Sequence, residues 1–130
     1  MHIHPTPEQA ERFASADVDG PIVMLNLLRF RERAAGDEDM SGQESYQRYG
    51  QRFQAMQERY GATPIYIGEP KATVIGPPDE EWDLMVVVEY PSLEAMVTMT
   101  QDPDYLEMAS DRTNALLDSR LVLTTPVFRA

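Results

Sequence analysis

Three polar side chains set among apolar neighbours have the most capacity for chemistry in this sequence. Asn26 stands inside Ile22-Val23-Met24-Leu25-Asn26-Leu27-Leu28-Arg29-Phe30. There an amide could orient a carbonyl or stabilise an oxyanion in a water-poor site. It could equally be satisfied by neighbouring backbone or by a second copy of the chain. Glu89 ends the run Leu84-Met85-Val86-Val87-Val88-Glu89. Enclosed, its pKa would rise and it would act as a general base near neutral pH; the alternatives are an ion pair with an arginine or exposure at the strand end. Arg112 lies on an apolar helical stripe with Tyr105, Met108, Ala109 and Leu116. A guanidinium there suits bidentate contact with a substrate carboxylate, or pairing with Glu89, Asp83 or a loop carboxylate. Asn26 and Glu89 are thus the candidate catalytic residues, and Tyr66, Arg112, Met24 and Met85 the candidate substrate-binding ones. Tyr46 and Tyr49 also carry phenols, but on a stripe that reads first as packing.

Other chemistries are bounded by what the chain lacks. Without cysteine there are no thiolate nucleophiles, disulfides or Cys-based metal sites. His2 and His4 are the only histidines, so one chain cannot build a His-based triad or a three-His metal site. His2-x-His4 has metal-ligand character, yet a mobile terminus is the simpler expectation. No Gly-rich phosphate loop occurs, and neither a metal nor a bound cofactor is expected. The acidic runs Asp37-Glu38-Asp39 and Asp79-Glu80-Glu81 read as solvated loops, with Trp82 beside the second as a packing anchor. Eleven Lys and Arg against twenty-two Asp and Glu give a net charge of −11, a field that repels phosphate backbones and anionic lipid headgroups. Nucleic acid and membrane surfaces are therefore not expected partners. The absence of cysteine suits a reducing compartment, no signal-like apolar stretch opens the sequence, and no apolar run approaches the roughly 18–20 residues that cross a bilayer. A cytoplasmic location is expected.

The elements that must position these side chains are marked by their start and stop signals. Thr6-x-x-Gln9 fits a capping box with Pro7 at the first helical position, so a short helix begins there and ends by Asp19-Gly20-Pro21. Ile22 to Phe30 reads as a central strand with two different faces, Val23, Leu25 and Leu27 on one and Ile22, Met24, Asn26 and Leu28 on the other. Ser41-x-x-Glu44 opens a helix whose stripe Tyr46, Tyr49, Phe53, Met56 and Tyr60 runs to a terminal Gly61. Gly50 inside it suggests a close backbone approach. Pro64 to Ile67 and Lys71 to Ile75 read as one strand bent at Gly68-Glu69-Pro70, and Trp82 to Tyr90 as the next. Ser92 and Asp102 cap two short helices, and Leu121 to Thr125 form a last strand.

Residues 1–21 thus form a helical extension, and residues 22–130 one α+β domain of order β-α-β-β-α-β with a four-stranded antiparallel sheet. That is the ferredoxin-like order, with helices on one face of the sheet. The other face is expected to carry Met24, Asn26, Leu28, Met85, Val87 and Glu89, too apolar for water, so a homodimer with sheets packed face to face is expected.

The first strand, the Tyr46/Tyr49 helix, Arg59-Tyr60-Gly61, the passage Val86-Val87-Val88-Glu89-Tyr90-Pro91-Ser92-Leu93-Glu94-Ala95 and Asp102-Pro103-Asp104-Tyr105 together resemble domain-of-unknown-function family 1330 of the dimeric α+β barrel superfamily. The resemblance runs from about Ile22 to Thr125, and Arg112 matches the arginine usual after the Pro-x-Tyr motif. The first helix and the acidic loop before Ser41 are additions, and Ala62 replaces a common second glycine. The resemblance implies a dimeric barrel that binds or transforms a small organic molecule in the sheet-face cleft without a bound cofactor, in the manner of monooxygenases, isomerases or cyclases. The alternative is a non-catalytic homodimeric binding or interaction protein, its cleft filled by Met24, Leu28 and Met85 and Glu89 bridged to Arg112.

Overall fold

Backbone groups left unpaired at helix starts are satisfied here by side chains placed three residues apart. In the structure, a computed structural model describing every residue except Glu38, Thr6 with Gln9 and Ser41 with Glu44 each complete a reciprocal capping box. They open α1 (Pro7–Ala14) and α2 (Gly42–Tyr60). α2 stops at Gly61, whose φ of 72° is the left-handed conformation glycine adopts without steric cost. Asp102 ends α3 (Leu93–Gln101) and caps α4 (Pro103–Ala115) by accepting from the Asp104 N–H. The acidic run before Ser41 is described only at Asp37 and Asp39, since Glu38 lies outside the described residues.

The strands β1 (Ile22–Phe30), β2 (Thr63–Gly68), β3 (Leu84–Tyr90) and β4 (Leu116–Thr124) form one antiparallel sheet in the order β2-β3-β1-β4. The two most apolar strands are therefore central, and α1 stands outside the β-α-β-β-α-β order. The helices close one face. Tyr49, Phe53 and Met56 of α2, with Met96, Met99 and Met108 of α3 and α4, pack on Ile22, Met24, Leu28, Val86, Val88 and Tyr90. Each fully buried side chain of this kind contributes roughly 1.5–3 kcal/mol. No helix among the described residues is long and apolar enough to cross a membrane.

Register reverses one expectation about the faces. Met24, Asn26 and Leu28 lie opposite Val88, Val86 and Leu84, whereas Met85, Val87 and Glu89 lie opposite Leu27, Leu25 and Val23. Cross-strand partners share a face. Met24, Asn26 and Leu28 thus face the helices, and Met85, Val87 and Glu89 face away from them. The period-two division within each strand holds, but which half of β1 joins which half of β3 depends on pairing that neither strand encodes alone. The open face carries Val23, Leu25, Leu27, Met85 and Val87, joined by Tyr66 and Val122, which are 57% and 49% exposed.

Three further expectations are corrected. Residues 71–75 form no strand, and Val74 and Ile75 are exposed. Pro70 lacks an N–H, and β2 pairs with β3 only through Thr63–Gly68. β4 begins at Leu116, directly from α4, because Leu116 turns into the core with no exposed surface. A Cβ on Gly50 would meet nothing within 4 Å, so no backbone approaches there. The close approach is at Gly42, where a Cβ would lie 2.2 Å from the Arg31 carbonyl oxygen and 2.6 Å from that of Ala115. Gly42 N–H donates to Arg31 O at 3.1 Å and Arg31 N–H to Ala115 O at 2.8 Å, pinning the end of β1, the start of α2 and the end of α4 together. Farther along, buried Asp111 accepts from Arg48 at 2.8 Å and Arg52 at 3.4 Å, and Ser45 Oγ donates to the Asp111 carbonyl at 2.7 Å. These contacts hold α4, and so Arg112, against α2.

Candidate functional site

The stripe of α2 that faces the sheet does not fill the space beneath it. Tyr46, Tyr49, Gly50, Phe53, Gln54 and Gln57 recur at helical spacing and, with Asn26 and Arg112, line a cavity of about 230 Å³. Leu84, Val86, Val88 and Tyr90 of β3 form its opposite wall, and Pro64 and Ile67 of the edge strand β2 complete it. Gly50, Gln54, Pro64 and Ile67 are exposed, which places the opening between the middle of α2 and β2. A wider depression of about 510 Å³ adjoins it across Tyr46 and Leu84, with Arg31, Glu32, Glu69 and Asp83 on its walls.

The inner end is aromatic. Ring centroids of Phe30–Tyr46, Tyr46–Tyr49 and Tyr49–Phe53 are 5.5, 5.4 and 5.8 Å apart, and the Tyr49 and Tyr105 hydroxyls share a hydrogen bond at 3.0 Å. Burial pushes the Tyr46 phenol up to about 12 and holds those of Tyr49 and Tyr90 above their ordinary value; the nearby Arg112 charge only partly opposes this. At neutral pH these phenols are hydrogen-bond donors, not bases.

Asn26 sits at the middle of β1, where its Nδ2 donates to the Val86 carbonyl at 3.1 Å. One amide N–H and the amide oxygen remain for a ligand. Arg112 Nη1 donates to the Ile3 carbonyl at 3.4 Å, and among the described residues no carboxylate lies within 4.0 Å of its guanidinium. Ile3 is held in place because the His2 N–H donates to Asp118 at 2.9 Å and Ser119 Oγ donates to the His2 carbonyl at 2.6 Å. The N-terminal segment, expected to be mobile, is thus tied to β4. Among the described residues no Asp, Glu, His or Lys lines the cavity, and no group of three or more His, Cys, Asp or Glu could hold a metal ion. The arrangement can grip an anionic group and donate hydrogen bonds to a carbonyl or a developing oxyanion.

The family model for a domain of unknown function, DUF1330, matches residues 35–125. The chain belongs to the DUF1330 family. This DUF1330 protein is 41% identical to a protein of unknown function from Rhodopseudomonas palustris, whose crystal structure superposes with a TM-score of 0.92 over 98% of both chains. It is 12% identical to a dimeric ferredoxin-like protein of unknown function from Thermobifida fusca, with a TM-score of 0.53 over 82% of this chain and 92% of that one. It is 13% identical to SnoaB, a cofactor-independent oxygenase from Streptomyces nogalater, with a TM-score of 0.55 over 85% of this chain and 97% of that one. At such identities the likeness to the last two shows the fold alone. Among curated proteins none matches.

Of the residues expected to act together in this DUF1330 protein, Asn26 and Arg112 meet in the cavity. Met24 is on the same sheet face but buried in the core, 2% exposed. Glu89, Met85 and Tyr66 are on the other face. Glu89 pairs there with Arg129, whose guanidinium holds its carboxyl below the usual range, opposite to the rise expected of an enclosed acid. It therefore neither meets Asn26 nor bridges to Arg112. Tyr46 and Tyr49 pack in the core stripe and line the cavity at once. Gly50, Gln54 and Gln57 line the cavity beyond the expected site residues, and the signal for them is a spacing that puts polar or missing side chains on the edge of an aromatic stripe.

Proposed function

We propose that this DUF1330 protein binds a small organic molecule in the cavity between α2 and the β1–β3 face, and acts on it without a bound cofactor. The observation that carries this is a cavity beneath α2, open at Gly50 and Gln54, whose lining includes the Asn26 amide, the Tyr46, Tyr49 and Tyr90 phenols and the Arg112 guanidinium, all able to donate hydrogen bonds. Donors of this kind suit chemistry that builds negative charge on a substrate oxygen, as in enolisation, isomerisation or oxygenation of an activated ring. The shared fold with a cofactor-independent oxygenase agrees with such chemistry. The cavity belongs to one protomer. We further propose that a second copy covers the open face of Val23, Leu25, Leu27, Met85 and Val87, in keeping with a neighbour described as dimeric. A fragment screen by two-dimensional NMR tests the site. Shifts clustering on Asn26, Gly50, Phe53 and Val86 are expected; shifts confined to the open face would overturn it.

A further inference from the structure

We propose that the molecule held in this cavity is a single-ring or comparably small carboxylic acid, bound as its monoanion with the carboxylate on Arg112. This rests on the cavity being a ligand site and adds the class of ligand. Among the described residues Arg112 is the one formal charge on the wall. The partly buried chain of a cationic side chain normally ends at a carboxylate, as Arg48 does at Asp111, Arg59 at Asp102 and Arg120 at Asp118. This chain has twice as many acids as bases, yet among the described residues Arg112 donates only to the Ile3 carbonyl, at 3.4 Å. That carbonyl is neutral and the contact is long, so among the described residues most of the guanidinium N–H donors and the charge remain uncompensated.

Charge sets the valence of the ligand. A single guanidinium balances one negative charge. Among the described residues no Lys and no second Arg lines the cavity, so a phosphate dianion would bring a charge that the site cannot offset in surroundings of low polarity. The carboxylate matches the planar fork of the guanidinium, and the protonated phenols of Tyr46 and Tyr90 are further donors on the same lining. Size and polarity set the rest. An apolar cavity of about 150 Å³ admits benzene, and this one is about 230 Å³, with Phe53, Leu84, Val86 and Val88 to enclose the ring. The net charge of −11 repels anions from the surface at large, so affinity must come from this local contact and from burial of the ring.

Matched pairs of acid and amide test the class. Benzoate and phenylacetate are titrated against benzamide and phenylacetamide on the full chain at neutral pH, by calorimetry and by two-dimensional NMR. The acids are expected to bind about tenfold tighter than their amides, or more, and Arg112→Gln to abolish that preference by weakening the acids far more than the amides. Arg112→Lys, which keeps the charge without the fork, is expected to retain part of it. Amides that bind as well as acids to the wild-type protein, with shifts still mapping to the cavity, would overturn the ligand class and leave the site standing. If no member of either pair perturbs cavity residues up to about 10 mM, the site itself falls and the ligand class with it.

Discussion

Two glycines in α2 should respond to the same substitution with opposite signs. Gly50 is in the helix interior, where glycine costs roughly 1 kcal/mol relative to alanine, and a Cβ there meets nothing within 4 Å. Gly50→Ala should therefore stabilise the protein by about 1 kcal/mol, a rise in Tm of roughly 3–5 °C for a chain of this length. At Gly42 the added carbon would stand 2.2 Å from one backbone oxygen and 2.6 Å from another, far inside van der Waals contact. Neither oxygen can swing aside as a side chain can, because the Arg31 carbonyl accepts the Gly42 N–H and the Ala115 carbonyl accepts the Arg31 N–H. Gly42→Ala should cost about 3 kcal/mol, at the upper end of what overpacking costs, and spread α2 from α4. Urea unfolding of both variants at one protein concentration measures the pair. Reasoning from the open mouth at Gly50 would be refuted by a loss of stability in Gly50→Ala, and reasoning from the pinned junction by a neutral Gly42→Ala.

Acid should weaken the protein through Asp102, whose carboxyl is held down to about 2 by the Tyr60 hydroxyl first and the Arg59 guanidinium second. A depressed carboxyl stabilises the fold above its unfolded value near 4, and that contribution is lost as pH falls toward 2. Asp102→Asn should flatten this limb in a Tm-versus-pH series, and an unchanged limb would count against the assignment. At the basic end, the Tyr46 phenol raised to about 12 favours the protonated folded state, so stability should fall as pH rises from about 10 toward 12. Absorbance at 295 nm should show phenolate appearing in fewer tyrosines than the six present until unfolding, and full titration near pH 10 in the folded protein would exclude burial of the cluster. On the open face, Val87→Glu should shift the sedimentation mass from dimer to monomer without loss of helical signal; a wild-type monomer at micromolar concentration would remove the proposed second copy.

Local signals were the legible part of this fold. Thr6, Ser41, Asp102 and Gly61 carry their cap chemistry within a few residues, so the helix boundaries they imply agree with the structure. The ferredoxin-like class followed from the succession of elements. What depended on distant partners was not readable in the same way. The face on which Asn26 lies is settled by its pairing with Val86, and the partner of Glu89 is Arg129 near the end of the chain. Residues 71–75 are apolar enough to suggest a strand, but no strand beside them offers hydrogen bonds. Part of the candidate site was legible because a polar group among apolar ones is conspicuous, as at Asn26 and Arg112. The places of Gly50, Gln54 and Gln57 on the cavity wall were not legible, because an empty space is a property of packed neighbours and no single residue announces it.

A crystal structure with the tightest-binding single-ring compound from the fragment screen would be the most direct test. Density is expected between α2 and the β1–β3 face of one protomer, with the ring against Phe53 and Val86 and polar contacts from Asn26 and Arg112. Density between the sheets of two protomers, or a cavity left empty under saturating compound, would contradict the proposed site.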